Sequence, residues 1–372
     1  MMNRRFLMDL FGSTKVSWQP AMNEDTTTSD YWFNWRVLLC AIWVIISMAF
    51  ASFLIWKYEG FRESNRGETD QESPGTLFDD ETWRPCLKGV HPAWLLSFRV
   101  IGFFVLLLLL VVTAFVDGSS IFYFYTQWTC TLITVYFGLG SLLSIYGCCQ
   151  YQKRLSGEKV GNLEMDAENG TYEASARGEN SNNAAKVTNS NEEADVRQYA
   201  GFWGYAFQII YQMSAGAVLL TDCVFWFVIV PFLEINNYNL NILIINMHTI
   251  NAVFLLGDAS LNCLRFPLFR VAYFYIWTVT YVIVQWIVHA CVKLWWPYPF
   301  LDLSSSYAPL WYFSVAVMHI PCYGAFAVTI KLKHYLLSRW FKNSYQCARG
   351  RDRKETASTA YMRVIDFFIL YS

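Results

Sequence analysis

The chain is short of charge. Asp, Glu, Lys and Arg make up 15% of its 372 residues, against about 25% in a soluble globular protein. That leaves too few ionic groups for a water-facing surface. The net charge of −1 supplies no global field for nucleic acid, so no nucleic-acid partner is expected. Signatures of site chemistry are missing too. There is no Cys-x-x-Cys pair, no His-Glu-x-x-His, no Gly-x-Ser-x-Gly elbow and no phosphate-binding loop, so neither a metal nor another cofactor is expected. The opening MMNRRFLMDLFG is basic, but its apolar run is too short for a signal-peptide core.

Cysteine is not scarce, yet its placement excludes a disulfide scaffold. Cys40, Cys130, Cys148, Cys149, Cys223, Cys263, Cys291 and Cys322 fall in or beside apolar blocks, where a thiol behaves as a small hydrophobe. Only Cys86 and Cys347 lie in polar stretches.

What the chain has is long apolar runs, with 55% hydrophobic residues. About 20 such residues cross a hydrocarbon core of ~30 Å. Seven blocks qualify: 35–56, 94–115, 121–149, 205–230, 240–264, 271–292 and 310–330. The expected fold is therefore all-α, a polytopic transmembrane bundle of about seven spans. Around them lie an N-terminal segment (1–34), a charged loop (57–93) inside the first block of spans (35–149), a polar insertion (150–199), the later spans (200–340) and a basic tail (341–372). Too few large apolar residues in 150–199 could offset its ordering entropy, so disorder is expected there.

Lys and Arg give the orientation. The connections at 116–120 and 231–239 have none, and the one after span 6 has Lys293 at its edge. The alternate connections are rich: Lys57, Arg62, Arg66, Arg84 and Lys88, then the 150–199 insertion, then Arg265 and Arg270, then the tail. The positive-inside rule makes these and the C-terminus cytoplasmic. Seven spans then put the N-terminus outside despite Arg4, Arg5 and Lys15, which keeps six and eight spans open. Plasma membrane and endoplasmic reticulum fit equally. The expected partners are membrane lipids, with proteins docking through the 150–199 loop and the tail.

Ionisable residues inside a span default to a functional reading. Here they form stripes. His248, Asn251, Leu255, Asp258 and Asn262 share one helix face, and so do Gln208, Gln212, Ala215, Leu219 and Asp222. Both faces should point inward. Thr126, His248 and Asp222 should lie at similar depth in the outer half, as should His289 and His319. A hydroxyl, an imidazole and a carboxylate at one depth is what nucleophilic catalysis needs. Helix glue and an ion or substrate pathway are the other readings of the same residues. Backbone amides inside a helix are already bonded, so Gln127 or Asn246 would have to steady an oxyanion.

The string Phe124-Tyr-Thr-Gln-Trp-Thr-Cys-Thr-Leu132 with Tyr136-Phe-Gly-Leu139 resembles a span of the Rolling stone-like membrane proteins. So do Thr221-Asp222 with Phe225-Trp226 and Pro231, Asn246-Met-His-Thr-Ile-Asn251 with Asp258 and Asn262, and Trp296-Pro-Tyr-Pro-Phe-Leu-Asp302. From residue 32 to 340 the chain looks like the plant branch of that group. The group is in turn similar to the androgen-induced membrane hydrolases, which cleave fatty acid esters of hydroxy fatty acids with an intramembrane threonine and histidine. Keeping Tyr136-Phe-Gly-Leu139 in register puts that threonine on Thr126; a shift of three residues would put it on Thr129. The histidine falls on His248, with Asp222 or Asn251 to orient it. Gln127-Trp128 departs from the small apolar residues of that family. The resemblance implies a lipid-ester hydrolase or, from the Rolling stone side, a non-enzymatic scaffold, signalling or fusion component.

Overall fold

The computed structural model describes residues 25–60, 75–172, 198–231 and 242–347, with side chains from 157 to 172 and from 242 to 244 left aside. Seven long helices dominate, and no strand accompanies them among the described residues. They are α1 (Trp35–Tyr58), α2 (Pro92–Asp117), α3 (Tyr125–Tyr172), α4 (Phe202–Val224), α5 (Ile242–Leu261), α6 (Val271–Cys291) and α7 (Ala308–Trp340).

Their termini follow local chemistry. The Asn34 side chain accepts the Arg36 and Val37 amides at the start of α1, and the His91 side chain accepts the Ala93 amide before Pro92 opens α2. Gly118, at φ 83°, ends α2 where a side chain would be strained.

Six of these helices are long and apolar enough to cross a bilayer, which makes the chain a multi-pass membrane protein. Only 17% of the apolar stretch of α1 and 22% of that of α2 is buried. Leu38, Ile45, Phe104, Leu108, Phe227, Ile287 and Leu332 all face outward. A surface this apolar is covered by lipid. The seventh helix, α5, is 20 residues long, about 30 Å at 1.5 Å per residue.

The helices alternate in direction. Tyr31, in the short helix Ser29–Trp32, donates to Asp302 Oδ1 (2.9 Å) and accepts from Trp296 Nε1 (3.0 Å) and the Leu303 amide (3.1 Å). The stretch before α1 therefore caps the α6–α7 connection. At the other end of α1, Glu59 meets Arg270 Nε at 3.0 Å, where α6 begins. Residues 25–34 thus share a side with the Lys/Arg-poor connections, as seven spans require.

Close packing depends on small residues. A Cβ at Gly216 would sit 2.5 Å from the Phe274 ring and one at Gly102 2.9 Å from Phe137, so these helices approach as small-residue interfaces in membranes do. The main core cluster, with Tyr136, Phe137, Phe207, Tyr211, Phe274 and Phe326, runs through the middle of the bundle.

Two boundaries differ from the sequence reading. The third span was expected to begin at 121, but residues Ser119–Tyr123 form a 3-10 turn and α3 starts at Tyr125. At its far end α3 continues to Tyr172, well into the 150–199 stretch expected to be disordered. That extension has no proline and many strong helix formers (Gln, Lys, Arg, Leu, Glu, Met), which favour a helix by intrinsic propensity. Residues 173–197 lie outside the described ones, as do the first 24 residues and the tail beyond 347.

Candidate active site

The two polar stripes are buried as expected, but each divides in two. Toward the end with the charged connections, Asp258 is wholly buried and paired with Arg99 Nε at 2.8 Å. Tyr136 and Asn262 also donate to Asp258, Asn262 at 2.8 Å. Arg99 reaches the Thr82 carbonyl (2.7 Å) and Ser144 Oγ (2.8 Å), and its guanidinium lies 4.9 Å from the Phe207 ring centre. Beside it, Arg270 binds Glu59, Gln208 and the Gly75 carbonyl, while Gln208 and Gln212 donate to the Arg265 carbonyl. Much of the polar capacity is consumed here, and it is charge against charge.

The other end is built differently. A cavity of about 60 Å³ is lined by Tyr125, Thr126, Thr221, His248, Thr278, Tyr281 and Tyr298, among apolar side chains from α4, α6 and α7. It shares Thr278, Val282, Phe300, Leu301 and Val315 with a neighbouring cavity of about 50 Å³ that reaches His319. Each has room for a few waters.

Thr126 and His248, distant in sequence, line the same cavity. His248 Nδ1 lies 3.1 Å from Asp222 Oδ1, and its ring stacks on Phe225 at 3.8 Å between centres with 5° between planes. Asp222 thus fixes the tautomer and Phe225 the plane, and Nε2 has no hydrogen-bond partner among the described residues. Phe225 opens a π-helical turn, Phe225–Ile229, at the end of α4; such widened turns recur at functional sites. Thr126 and His248 do not bond directly. Instead, Thr126 Oγ1 is 3.3 Å from the Tyr298 hydroxyl.

Starting α3 at Tyr125 changes the oxyanion argument. Thr126 stands in the first helical turn, where backbone N–H groups have no intrahelical acceptor. The Thr126 and Tyr125 amides act on the Tyr298 hydroxyl. Burial pushes the Tyr298 pKa up, while the Thr126 hydroxyl and the two amides pull it the other way. The net shift is upward, so this phenol keeps its proton and can donate. Donors therefore come from Tyr298 and the α3 N-terminus. Gln127 donates to Met247 Sδ at 2.8 Å, and neither it nor Asn246 lines the cavity.

The supporting candidates separate. Asp222 is on His248, but Asn251 is not: its Nδ2 lies 3.0 Å from Cys130 Sγ. Thr129 Oγ1 bonds its own helix at the Tyr125 carbonyl (3.1 Å) and is fully buried away from the cavity. His289 stacks on Trp296 with its nitrogens toward the Gln285 and Trp295 carbonyls, outside both cavities.

No motif or spacing signals the partnership at His319. Its Nδ1 faces the Val315 carbonyl at 2.7 Å, so Nδ1 carries the hydrogen and Nε2 accepts from Thr278 Oγ1 at 2.8 Å. Thr278 in turn accepts from the Tyr125 hydroxyl at 2.8 Å. This chain of hydroxyls fixes the floor of the cavity and is the neighbour of Thr126 on α3.

Fold and site together define a polytopic all-α membrane protein with a small, mostly apolar cavity at one end of its bundle into which a few polar side chains face. No family model matches the chain, and no curated protein or solved structure matches it either.

Proposed function

We propose that this protein is an intramembrane lipid-ester hydrolase in which Thr126 is the nucleophile. The observation that carries the reading is the shared cavity. A hydroxyl at the positive end of a helix and an imidazole oriented by a partly buried carboxylate face the same small space.

In this reading an ester with an acyl chain enters between helices from the lipid. Thr126 Oγ attacks the ester carbonyl carbon and passes its proton to His248 Nε2, with Asp222 steadying the ring. The oxyanion of the tetrahedral intermediate receives the Tyr298 O–H and the first-turn amides of α3, whose helix dipole favours negative charge. The ester C–O bond then breaks and His248 protonates the departing alkoxide. Water, activated by His248, cleaves the acyl-threonine, releasing the fatty acid and restoring the hydroxyl. Direct contact between Thr126 and His248 is made on substrate binding, as catalytic bonds in free enzymes commonly are. The likeness to the Rolling stone-like proteins, and through them to the androgen-induced hydrolases, makes fatty acid esters of hydroxy fatty acids the substrate class to try first.

The same reading orients the chain. The charged connections and the C-terminus face the cytoplasm, and the cavity opens toward the outer leaflet. Plasma membrane and endoplasmic reticulum both satisfy this.

The decisive experiment compares purified wild type, Thr126→Ala and His248→Ala on branched fatty-acid esters, alongside labelling by a fluorophosphonate. Turnover and labelling confined to the wild type support the proposal; equal turnover in all three proteins refutes it. A scaffold function is favoured by one observation, the extension of α3 to Tyr172 beyond the length a bilayer needs. Deleting 173–197 would then abolish recovery of bound proteins while leaving ester turnover intact.

A further inference from the structure

Three cysteines from distant parts of the chain meet at the end of the bundle opposite the cavity. Cys86 precedes α2, Cys263 follows α5 and Cys347 follows α7. Their sulfurs all lie within 4.8 Å of one another, and all three residues are buried. Cys263 and Cys347 are joined as a disulfide here, with 5.2 Å between their Cα atoms. Cys86 is a free thiol whose Sγ donates to the Asn262 carbonyl at 2.6 Å.

The backbone holds this cluster in place. The Cys86 amide donates to the Leu261 carbonyl (2.8 Å), the Gln346 amide to the Cys86 carbonyl (3.1 Å) and the Lys88 amide to the Ser344 carbonyl (2.7 Å). The extended stretch around Cys86 is therefore clamped between the other two cysteine-bearing segments, with isolated bridges Pro85–Asn262 and Leu87–Tyr345. The sulfurs converge because three backbones are paired, not because side chains drifted together.

Compartment decides their chemistry. The inference rests on the orientation proposed above, which puts this end in the reducing cytosol, where a structural disulfide does not persist. A cellular thiol reductant would cleave the Cys263–Cys347 bond, delivering two electrons and two protons and becoming a disulfide itself. Three buried thiols then remain side by side. Soft thiolate donors select zinc or copper(I); with Zn–S bonds of about 2.3 Å the sulfurs stand roughly 3.8 Å apart, so once the bond is reduced Cys263 and Cys347 separate while Cys86 already lies within 4.8 Å of both. Lys333 Nζ stands beside the cluster, anchored on the Ala259 (2.8 Å) and Asn262 (2.7 Å) carbonyls, and the Asn262 carbonyl also accepts from Cys86 Sγ.

We propose that Cys86, Cys263 and Cys347 form a three-thiolate site for a thiophilic d10 cation, zinc(II) or copper(I). Loading it releases the thiol protons and ties the 85–88 stretch, the end of α5 and the segment after α7 into one unit.

The test uses the full chain in detergent, reduced and freed of reductant without oxygen, and titrated with Cd²⁺ as a spectroscopic stand-in for zinc. The background carries Cys148→Ser and Cys149→Ser, since these adjacent thiols lie in no such cluster. Expected is ultraviolet thiolate-to-metal absorption saturating at one ion per chain, with a rise in melting temperature. Both are lost in Cys86→Ser and in Cys347→Ser, so a folding failure of either variant leaves the other to decide. Metal analysis of protein isolated without added ions distinguishes zinc from copper. The proposal fails if the reduced protein shows no absorption that depends on these cysteines. It also fails if protein isolated from a reducing cytosol retains the Cys263–Cys347 bond quantitatively. Mass-tagging of tail lysines in sealed vesicles reads the orientation separately, so an inverted topology is told apart from an absent metal site.

Discussion

The two ends of the bundle both bury polar groups and use them in opposite ways. Around Asp258, Arg99 faces the carboxylate, and hydroxyls, amides and carbonyls take up the other groups, with Arg99 Nη2 left unbonded among the described residues. Around His248 the polar groups line a cavity, and Nε2 has no hydrogen-bond partner among the described residues. A closed ionic network in low dielectric resists change, because removing one member strands the other. An open one keeps capacity for a substrate. Buried polarity in a membrane interior points to function where its open hydrogen-bonding capacity faces a cavity.

The comparison breaks most sharply at Arg99. Arg99→Leu leaves Asp258 buried and unpaired, and should cost about 3–5 kcal/mol, read as a collapse of thermal stability in detergent. Arg99→Leu combined with Asp258→Leu should be milder than the single change. His248→Ala should do the reverse, lowering ester turnover by roughly 10²–10⁴-fold while moving the melting midpoint little. Tyr298→Phe keeps the ring and removes only the O–H. A drop of about 10²–10³-fold in turnover, with substrate affinity held, would mark it as an oxyanion donor. Thr129→Ala should be nearly silent, since its hydroxyl bonds only the Tyr125 carbonyl of its own helix, and should leave turnover unchanged. If Thr129→Ala abolished turnover and Thr126→Ala did not, the register of the nucleophile would be wrong by one helical turn.

Much of the architecture was legible because the apolar runs are long and the Lys/Arg alternation is clean. The start of α3 was not, since Ile121 and Phe122 continue the apolar run through a 3-10 turn and hydropathy does not register the change of helix type. Its end was missed for the opposite reason: polar residues past 149 looked like a loop although their helix propensity is high. Thr126, His248 and Asp222 could be placed by depth and helix face. Tyr298 was quoted only as part of a motif, because a loop residue 172 positions from Thr126 has no periodicity to follow. Arg99 was passed over as one charge ahead of a leucine run; its meaning needed Asp258 beside it. The three cysteines were read one by one, and no local spacing joins them.

The length of α3 has a mechanical consequence. Its 48 residues make a rod of roughly 72 Å, while the hydrocarbon takes up only about 30 Å. Some 40 Å of it therefore stands clear of the hydrocarbon, like a mast rooted next to the Arg99 network. The chain must return from its tip to Gln198, whose carbonyl accepts from the Asp79 amide at 3.0 Å. At ~3.3 Å per residue the 173–197 stretch reaches roughly 80 Å, twice the distance needed. A load on the far end of α3 would act with a long lever arm, and the first part of the bundle to feel the torque would be the helix that carries Thr126 at its foot.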